Sequence, residues 1–268
     1  MTAVKRAAIT GAFFVLAMVF GTANLAAQTD QEFDKVFPFI GNWASQVGSP
    51  NGQDRGNCGG RPGDYGEKLL NCTMPVDQLP LNLRGEAWMK YMDHRQSPSM
   101  SECADIPYPA VLGDGAEISA FPGRLEVSIS SNPWFLTRTV WMNGTGPTPR
   151  PGQLFQHGFS LGHFDGDDLI IVTDHFTFDP DGMDDHLHMA SSVRKKITER
   201  YHMIDENNLR LIITLEDPTF LTRPFKYAFL WTKRPGGLTP GWVTCDSQVA
   251  RDEVEFGYPG TKYMEPEK

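Results

Sequence analysis

From Ala116 to about residue 232, apolar and polar side chains alternate with a period of two. Leu125, Val127 and Ile129 are separated by Glu126 and Ser128, and Trp134, Leu136, Val140 and Met142 share one parity. This is the pattern of strands with one face buried. Further strands are predicted over residues 156–164, 168–176, 192–204, 209–217 and 224–232. Short turn sequences separate several of them, among them Asn143-Gly144, Asp165-Gly166-Asp167 and Asp205-Glu206-Asn207-Asn208. No helical period interrupts the series, which argues against a parallel α/β sheet. The expectation is an all-β fold: an antiparallel meander closing into a barrel, with a β-sandwich as the alternative.

The first hundred residues read differently. Lys5 and Arg6 precede an uncharged stretch from Ala7 to Phe20, and small residues follow at Gly21-Thr22-Ala23 and Ala26-Ala27. That order predicts a cleaved export signal over residues 1–27 and a periplasmic or secreted protein. Residues 28–110 form an irregular segment rich in Gly, Pro and Asn, with one helix near residues 82–94 and Asn82 as its N-cap. Leu83, Ala87, Trp88 and Tyr91 would be its apolar face. Residues 111–268 are then the barrel domain.

Charge narrows the partners. Without Lys5 and Arg6, 22 basic residues remain of the 24, against 33 acidic ones. Such a balance disfavours phosphate backbones and gives no basic patch for a membrane surface. An apolar or aromatic small molecule is the expected partner, with no nucleic acid and no membrane once the signal is removed. The four cysteines, Cys58, Cys72, Cys103 and Cys245, make an even set, which an oxidising compartment would pair. Three pairings exist, of which Cys58–Cys72 and Cys103–Cys245 are favoured.

Candidate chemistry lies in one window. Six of the seven histidines fall between His157 and His202, interleaved with carboxylates. Parity places His157 and His163 with Phe159 and Leu161 on an interior face, and His202 on a solvated one. Val193, Ile197, Tyr201 and Met203 define an apolar parity that also carries Lys195 and Glu199. Arg138 shares the parity of Leu136 and Val140, so an inward Arg138–Glu199 pair is expected, because an unpaired buried charge is very costly. His175 and Asp174 end a strand beside the loop holding His186 and His188; the H-x-H pair with Asp174 or His175 would suit a divalent metal. No G-x-S-x-G elbow, H-E-x-x-H or phosphate loop occurs, and no organic cofactor has an evident site.

Four ordered motifs resemble a large, mostly unannotated family of exported bacterial β-barrel proteins. Gly158-Phe159-Ser160-Leu161-Gly162-His163-Phe164-Asp165-Gly166-Asp167-Asp168-Leu169 is similar to its G-H/Y-S-I-G-x-W-E-G-D-x-L signature. The others are Thr137-Arg138-Thr139-Val140-Trp141-Met142-Asn143-Gly144, Thr198-Glu199-Arg200-Tyr201 and the segment from Asp217-Pro218 to Thr222-Arg223-Pro224. Phe159 and Phe164 depart from the family's His/Tyr and Trp. The resemblance implies a lipocalin-like barrel and is consistent with Cys103–Cys245, and it carries no reaction.

The functional expectation is an exported enzyme, of lyase, dehydratase or isomerase type. It would perform acid/base chemistry in a barrel cavity without an organic cofactor. His157 or His175 would be the base, Glu199 the orienting carboxylate and Arg138 the anion stabiliser, with Asp174 a further member of the catalytic set. A non-catalytic periplasmic binder of a hydrophobic ligand is the alternative, and metal-dependent hydrolysis or lyase chemistry at Asp174, His175, His186 and His188 the third.

Overall fold

The alternating stretches become strands because each carries one apolar face that only another layer can cover. The computed structural model describes residues 34–45, 79–92, 103–104, 107–131, 134–184 and 189–237, together with residues 246, 248 and 251. The predicted signal, Cys58, Cys72, Cys245, His186 and His188 therefore lie outside the described residues. Cys103 is described and is not a free thiol. The chain divides into two compact units, residues 1–39 and 40–268. In the first, Phe37–Phe39 forms a 3-10 turn.

The second unit is a closed nine-stranded barrel of lipocalin-like architecture. Its strands are β1 (Gly41–Ser45), β2 (Gly115–Phe121), β3 (Arg124–Ser131), β4 (Trp134–Met142), β5 (Phe159–Asp165), β6 (Asp168–Asp174), β9 (Lys196–Met203), β10 (Asn208–Glu216) and β11 (Phe225–Arg234). The order around the barrel is β1-β11-β10-β9-β6-β5-β4-β3-β2, with β1 closing it against β2. A separate two-stranded sheet, β7 (Asp179–Asp184) and β8 (Met189–Ser191), is inserted between β6 and β9.

Two features depart from a pure meander. β1 comes from the segment expected to be irregular; only five residues long, it is too short to announce itself by period. β4 and β5 pair in parallel, so the sheet is mixed. Residues 143–158 carry the chain from the end of β4 back to the start of β5.

The parallel register also settles which face of β5 points inward. Ser160 pairs with Val140 and Gly162 with Met142, so Ser160 and Gly162 share the interior with those side chains. Leu161 and His163 consequently face solvent. The inward placement expected of His163 is thus reversed. Space explains it: a Cβ on Gly162 would lie 2.4 Å from the Met142 sulfur and 2.9 Å from Val140 Cγ1. Neighbouring strands already crowd the space inside Gly162, and at Ser160 and Gly162 β5 contributes only small residues. His157 also lies outside the strand, in the turn before it.

The remaining interior is densely apolar. Ile118, Leu125, Val127, Ile129, Ile171 and Ile213 are buried, with Phe225, Tyr227, Phe229 and Trp231 along β11. Among the described side chains the expected parities of β3, β4 and β9 hold, except that Val193, before β9 begins, is exposed.

The barrel's two ends differ. At one, short turns join β2 to β3, β5 to β6 and β9 to β10. At the other stand the residues 107–114, the β7–β8 sheet and the segment 217–224. Helix α1 (Leu83–Tyr91) packs on β8. Asn82 caps it as expected, its Oδ1 accepting from Arg84 N and Gly85 N at 3.0 and 3.1 Å. Its docking face is a correction: Leu83, Ala87 and Tyr91 are exposed. Gly85 approaches so closely that a Cβ there would sit 2.6 Å from Phe220 O, and Trp88 packs edge-on to Phe178 and Phe220.

Gly162→Val tests the packing of β5. It should destabilise the barrel by roughly 1–3 kcal/mol in urea denaturation, as overpacking does, while Leu161→Ala on the outer face stays within about 0.5 kcal/mol. Equal effects would contradict the assigned faces.

Candidate functional site

Strand β4 projects Arg138 into the barrel, and β9 projects Glu199 to meet it. Arg138 Nη1 donates to Glu199 Oε1 at 2.6 Å and Nη2 to Oε2 at 2.8 Å, a bidentate pair. Thr173 on β6 accepts a further bond from Nη1 at 3.1 Å and shares a 2.8 Å bond with Ser160. Tyr201 donates its hydroxyl to Glu199 Oε2 at 2.6 Å. The inward pair expected from strand parity is therefore present. Both partners are sealed from solvent, Arg138 at 3% and Glu199 at 0% exposure.

Burial alone would lower the Arg138 pKa, but the adjacent Glu199 outweighs it and holds the guanidinium above its ordinary value. Burial and then Glu199 push the Tyr201 phenol well above its usual range, so it remains a hydrogen donor. Arg138 Nε has no acceptor among the described residues.

Tyr108 links this pair to the elaborated barrel end. Its ring lies 4.3 Å from the Arg138 guanidinium carbon, a cation–π contact, and meets the His157 ring edge-on at 6.4 Å. Its carbonyl accepts from Lys195 Nζ at 2.9 Å, and Lys195 also donates to Gly182 O at 2.6 Å. The ammonium stands 4.1 Å from the centroid of the Phe176 ring. Burial lowers Lys195 to about 8, although Asp179 and Asp217 favour its charged form. Asp179 is raised above the ordinary carboxylate range by burial, which outweighs the 2.9 Å bond it accepts from Asp181 N and the nearby Lys195 and His157. Ser192 N and Oγ bond Asp217 at 2.6 and 2.8 Å, which ties the chain before Lys195 to the 217–224 segment.

His175 sits just past the end of β6. Its backbone adopts a left-handed φ of 58°, rare outside glycine and held here because Phe155 N donates to His175 O at 2.8 Å. Its Nδ1 lies 2.5 Å from Asp174 Oδ1, and both side chains are partly exposed. The ring packs edge-on to Phe159.

The structure thus joins Arg138 to Glu199 directly and to His157 through the Tyr108 ring, while the Asp174–His175 dyad past the end of β6 packs on Phe159. His157 and the Asp174–His175 dyad are partly exposed, and the ion pair is buried beneath Tyr108. His202 faces solvent as expected, bonded to Asp168 at 2.7 Å, and Arg200 bridges Asp165 and Asp168. Burial opposes but does not overcome these bonds, which lower the Asp168 pKa. Among the described residues no group of three or more His, Cys, Asp or Glu is placed to hold a metal ion; His186 and His188 lie outside them.

Tyr108, Lys195 and Asp179 are the additions. Parity had already turned Lys195 inward, but its partners come from Pro107-Tyr108-Pro109 and Asp179-Pro180, where no period operates. No protein-family model, curated protein or solved structure matches the chain.

Breaking the ion pair from one side should be severe. Arg138→Met alone should cost about 3–5 kcal/mol, and combining it with Glu199→Leu should recover much of that, as a double-mutant cycle by urea unfolding would measure. Additive losses would contradict the pairing. For Lys195, the folded value of about 8 lies below the ordinary 10.5, so the folded state holds fewer protons between those limits. Wild type should therefore gain on Lys195→Met as pH rises from 8 towards 10.5, by up to about 3 kcal/mol. A pH-independent difference would argue against a buried, depressed amine.

Proposed function

We propose that this chain is an exported enzyme performing acid/base chemistry, without an organic cofactor, on an apolar aromatic small molecule, by a lyase, dehydratase or isomerase type of reaction. The observation that carries the reading is the stacking of ionisable groups at one barrel end. His157 stands partly exposed over Tyr108, and Arg138 lies directly beneath that ring. Packed cores rarely carry so many charges, and the nearby Lys195, lowered by burial, and Asp179, raised by it, are shifts of the kind that gather at reactive sites. His157 is the proton acceptor in this reading, and the Asp174–His175 dyad is a second base. Arg138, with its unpartnered Nε–H, stabilises negative charge developing on the substrate. In this reading the substrate is received in a barrel cavity entered from the elaborated end. The export signal, a Cys103–Cys245 disulfide and membership of the exported β-barrel family belong to the same proposal.

The complete burial and bidentate geometry of Arg138–Glu199 favour a second reading, in which the pair fixes strand register in a non-catalytic binding protein. A panel of aromatic β-hydroxy carbonyl compounds and their unsaturated products, followed by absorbance, separates the two. The enzyme reading expects turnover that His157→Gln lowers about a hundredfold or more without a large loss of thermal stability. Saturable binding with no turnover across the panel would establish the binder instead.

A further inference from the structure

We propose that the elaborated end of the barrel, led by the outer face of helix α1, docks on a lipid bilayer surface that carries anionic headgroups. The inference stands apart from the reaction proposed above and does not depend on it.

Helix α1 supplies the first observation. Gly85 and Trp88 face Phe220 and Phe178, so Leu83, Ala87 and Tyr91, at every fourth position, form a stripe on the side turned away from them. Leu83 and Tyr91 are 84% and 74% exposed, the most of any large apolar side chains among the described residues. An apolar stripe on a surface helix ordinarily turns to the core. Here the close approach at Gly85 has taken that side, and the stripe is left outward.

The same end exposes further apolar side chains. Phe178 meets Trp88 edge-on and is itself 52% exposed. Thr177 N donates to Phe155 O at 3.1 Å, which brings the exposed Leu154 to the neighbourhood of Phe178. On the other side of the helix, Asn82 Nδ2 donates to Thr219 O at 3.1 Å, and Thr219 Oγ1 donates to Ser192 Oγ at 2.9 Å. Those bonds bring the exposed Val193 near the start of α1.

Charge selects the occupant. Arg84 and Lys90 flank the stripe, with Glu86 the carboxylate on the helix, and Lys90 Nζ lies 5.2 Å from the centroid of the Tyr91 ring. Arg194 follows Val193, and Arg223 stands on the segment 217–224; both are exposed. Asp174, paired with His175, is the partly exposed carboxylate beside Phe159. At the opposite end the β5–β6 and β9–β10 turns expose Asp165, Asp167, Asp205 and Glu206. A chain that is acidic overall thus carries basic side chains beside its exposed apolar ones. Leucine, phenylalanine and tyrosine flanked by arginine and lysine suit the headgroup region, where apolar groups enter the interface and cations meet lipid phosphates. Each basic residue near an anionic surface strengthens binding roughly fivefold. A nucleic-acid backbone asks for charge alone and would leave the apolar tips without a partner.

Flotation of the full chain with vesicles of phosphatidylglycerol and phosphatidylcholine tests the proposal. Leu83→Ser combined with Tyr91→Ser should weaken binding about tenfold or more, and Arg84→Glu combined with Lys90→Glu by a similar factor. Phe121→Ser combined with Ile204→Ser, exposed at the opposite end, should leave binding unchanged. The part of the binding lost with the stripe should fall as salt is raised and should be roughly tenfold weaker on phosphatidylcholine alone. Amides of Leu83–Tyr91 should exchange more slowly on the vesicles. Thermal unfolding of each variant separates lost docking from lost fold. Binding that the stripe and charge variants leave unchanged overturns the proposal, as does stripe-dependent binding of equal strength on phosphatidylcholine alone. A stripe-dependent dimer in sedimentation, without stripe-dependent vesicle binding, also overturns it and names a second copy as the occupant.

Discussion

The barrel is organised around one buried charge pair. Arg138 on β4 and Glu199 on β9 are separated in the sheet by β5 and β6, so their contact crosses the interior rather than running along a neighbouring ladder. Neither charge has water to fall back on, and any arrangement that separates them carries a large desolvation cost. A one-residue slip of either strand would turn its charge to the opposite face. The pair therefore ties the registers of β4 and β9 together, and Thr173 and Ser160 bring β6 and β5 into the same network. This matters most at β4–β5, where only three residue pairs form the parallel ladder.

From that fixed centre the molecule is built unequally. Tight turns close one end, and among the described residues most of the irregular chain collects at the other. There Tyr108 lies over the guanidinium, Lys195 fastens the Tyr108 carbonyl, and Ser192 and Asp217 fasten the chain around Lys195. The segment Asp217 to Thr222 also receives helix α1, through Asn82 N to Phe220 O and Thr222 N to Pro80 O. Stretches far apart in the sequence thus act as one cap on a rigid wall. Connections on a barrel rim commonly take on chemistry in this way, because the strands beneath supply a stiff frame.

Much of this was legible in the sequence, for identifiable reasons. Arg138 and Glu199 could be found because each interrupts a regular apolar parity, and a charge in that place has few structural explanations other than a partner. β5 misled because Leu161 and His163 lie on the outer parity, while the crowded core beside Val140 and Met142 accepts only Ser160 and Gly162. Hydrophobicity marks the inner face only where the interior has room for a side chain. Helix α1 misled similarly: close approach at Gly85 decided its docking face, and a glycine leaves no apolar signal. Tyr108 and Asp179 had no period around them, so nothing short of the tertiary fold could bring them to Lys195.

The closing strand has a consequence for how the chain reaches this state. β1 pairs Asn42 with Arg234 on one side and Glu117 with Asn42 on the other, so the first strand of the barrel bonds directly to the last. A chain that emerges N-terminus first cannot complete the ring until β11 has followed. Until then β2 and β11 are open edges bearing unpaired backbone groups, which invite pairing with other chains. Contacts of such long sequence separation also make closure a slow, late event, since the loop entropy must be met before the ladder repays it. Five residues near the beginning of the barrel thus decide whether the other eight strands form a sealed cylinder or an adhesive sheet.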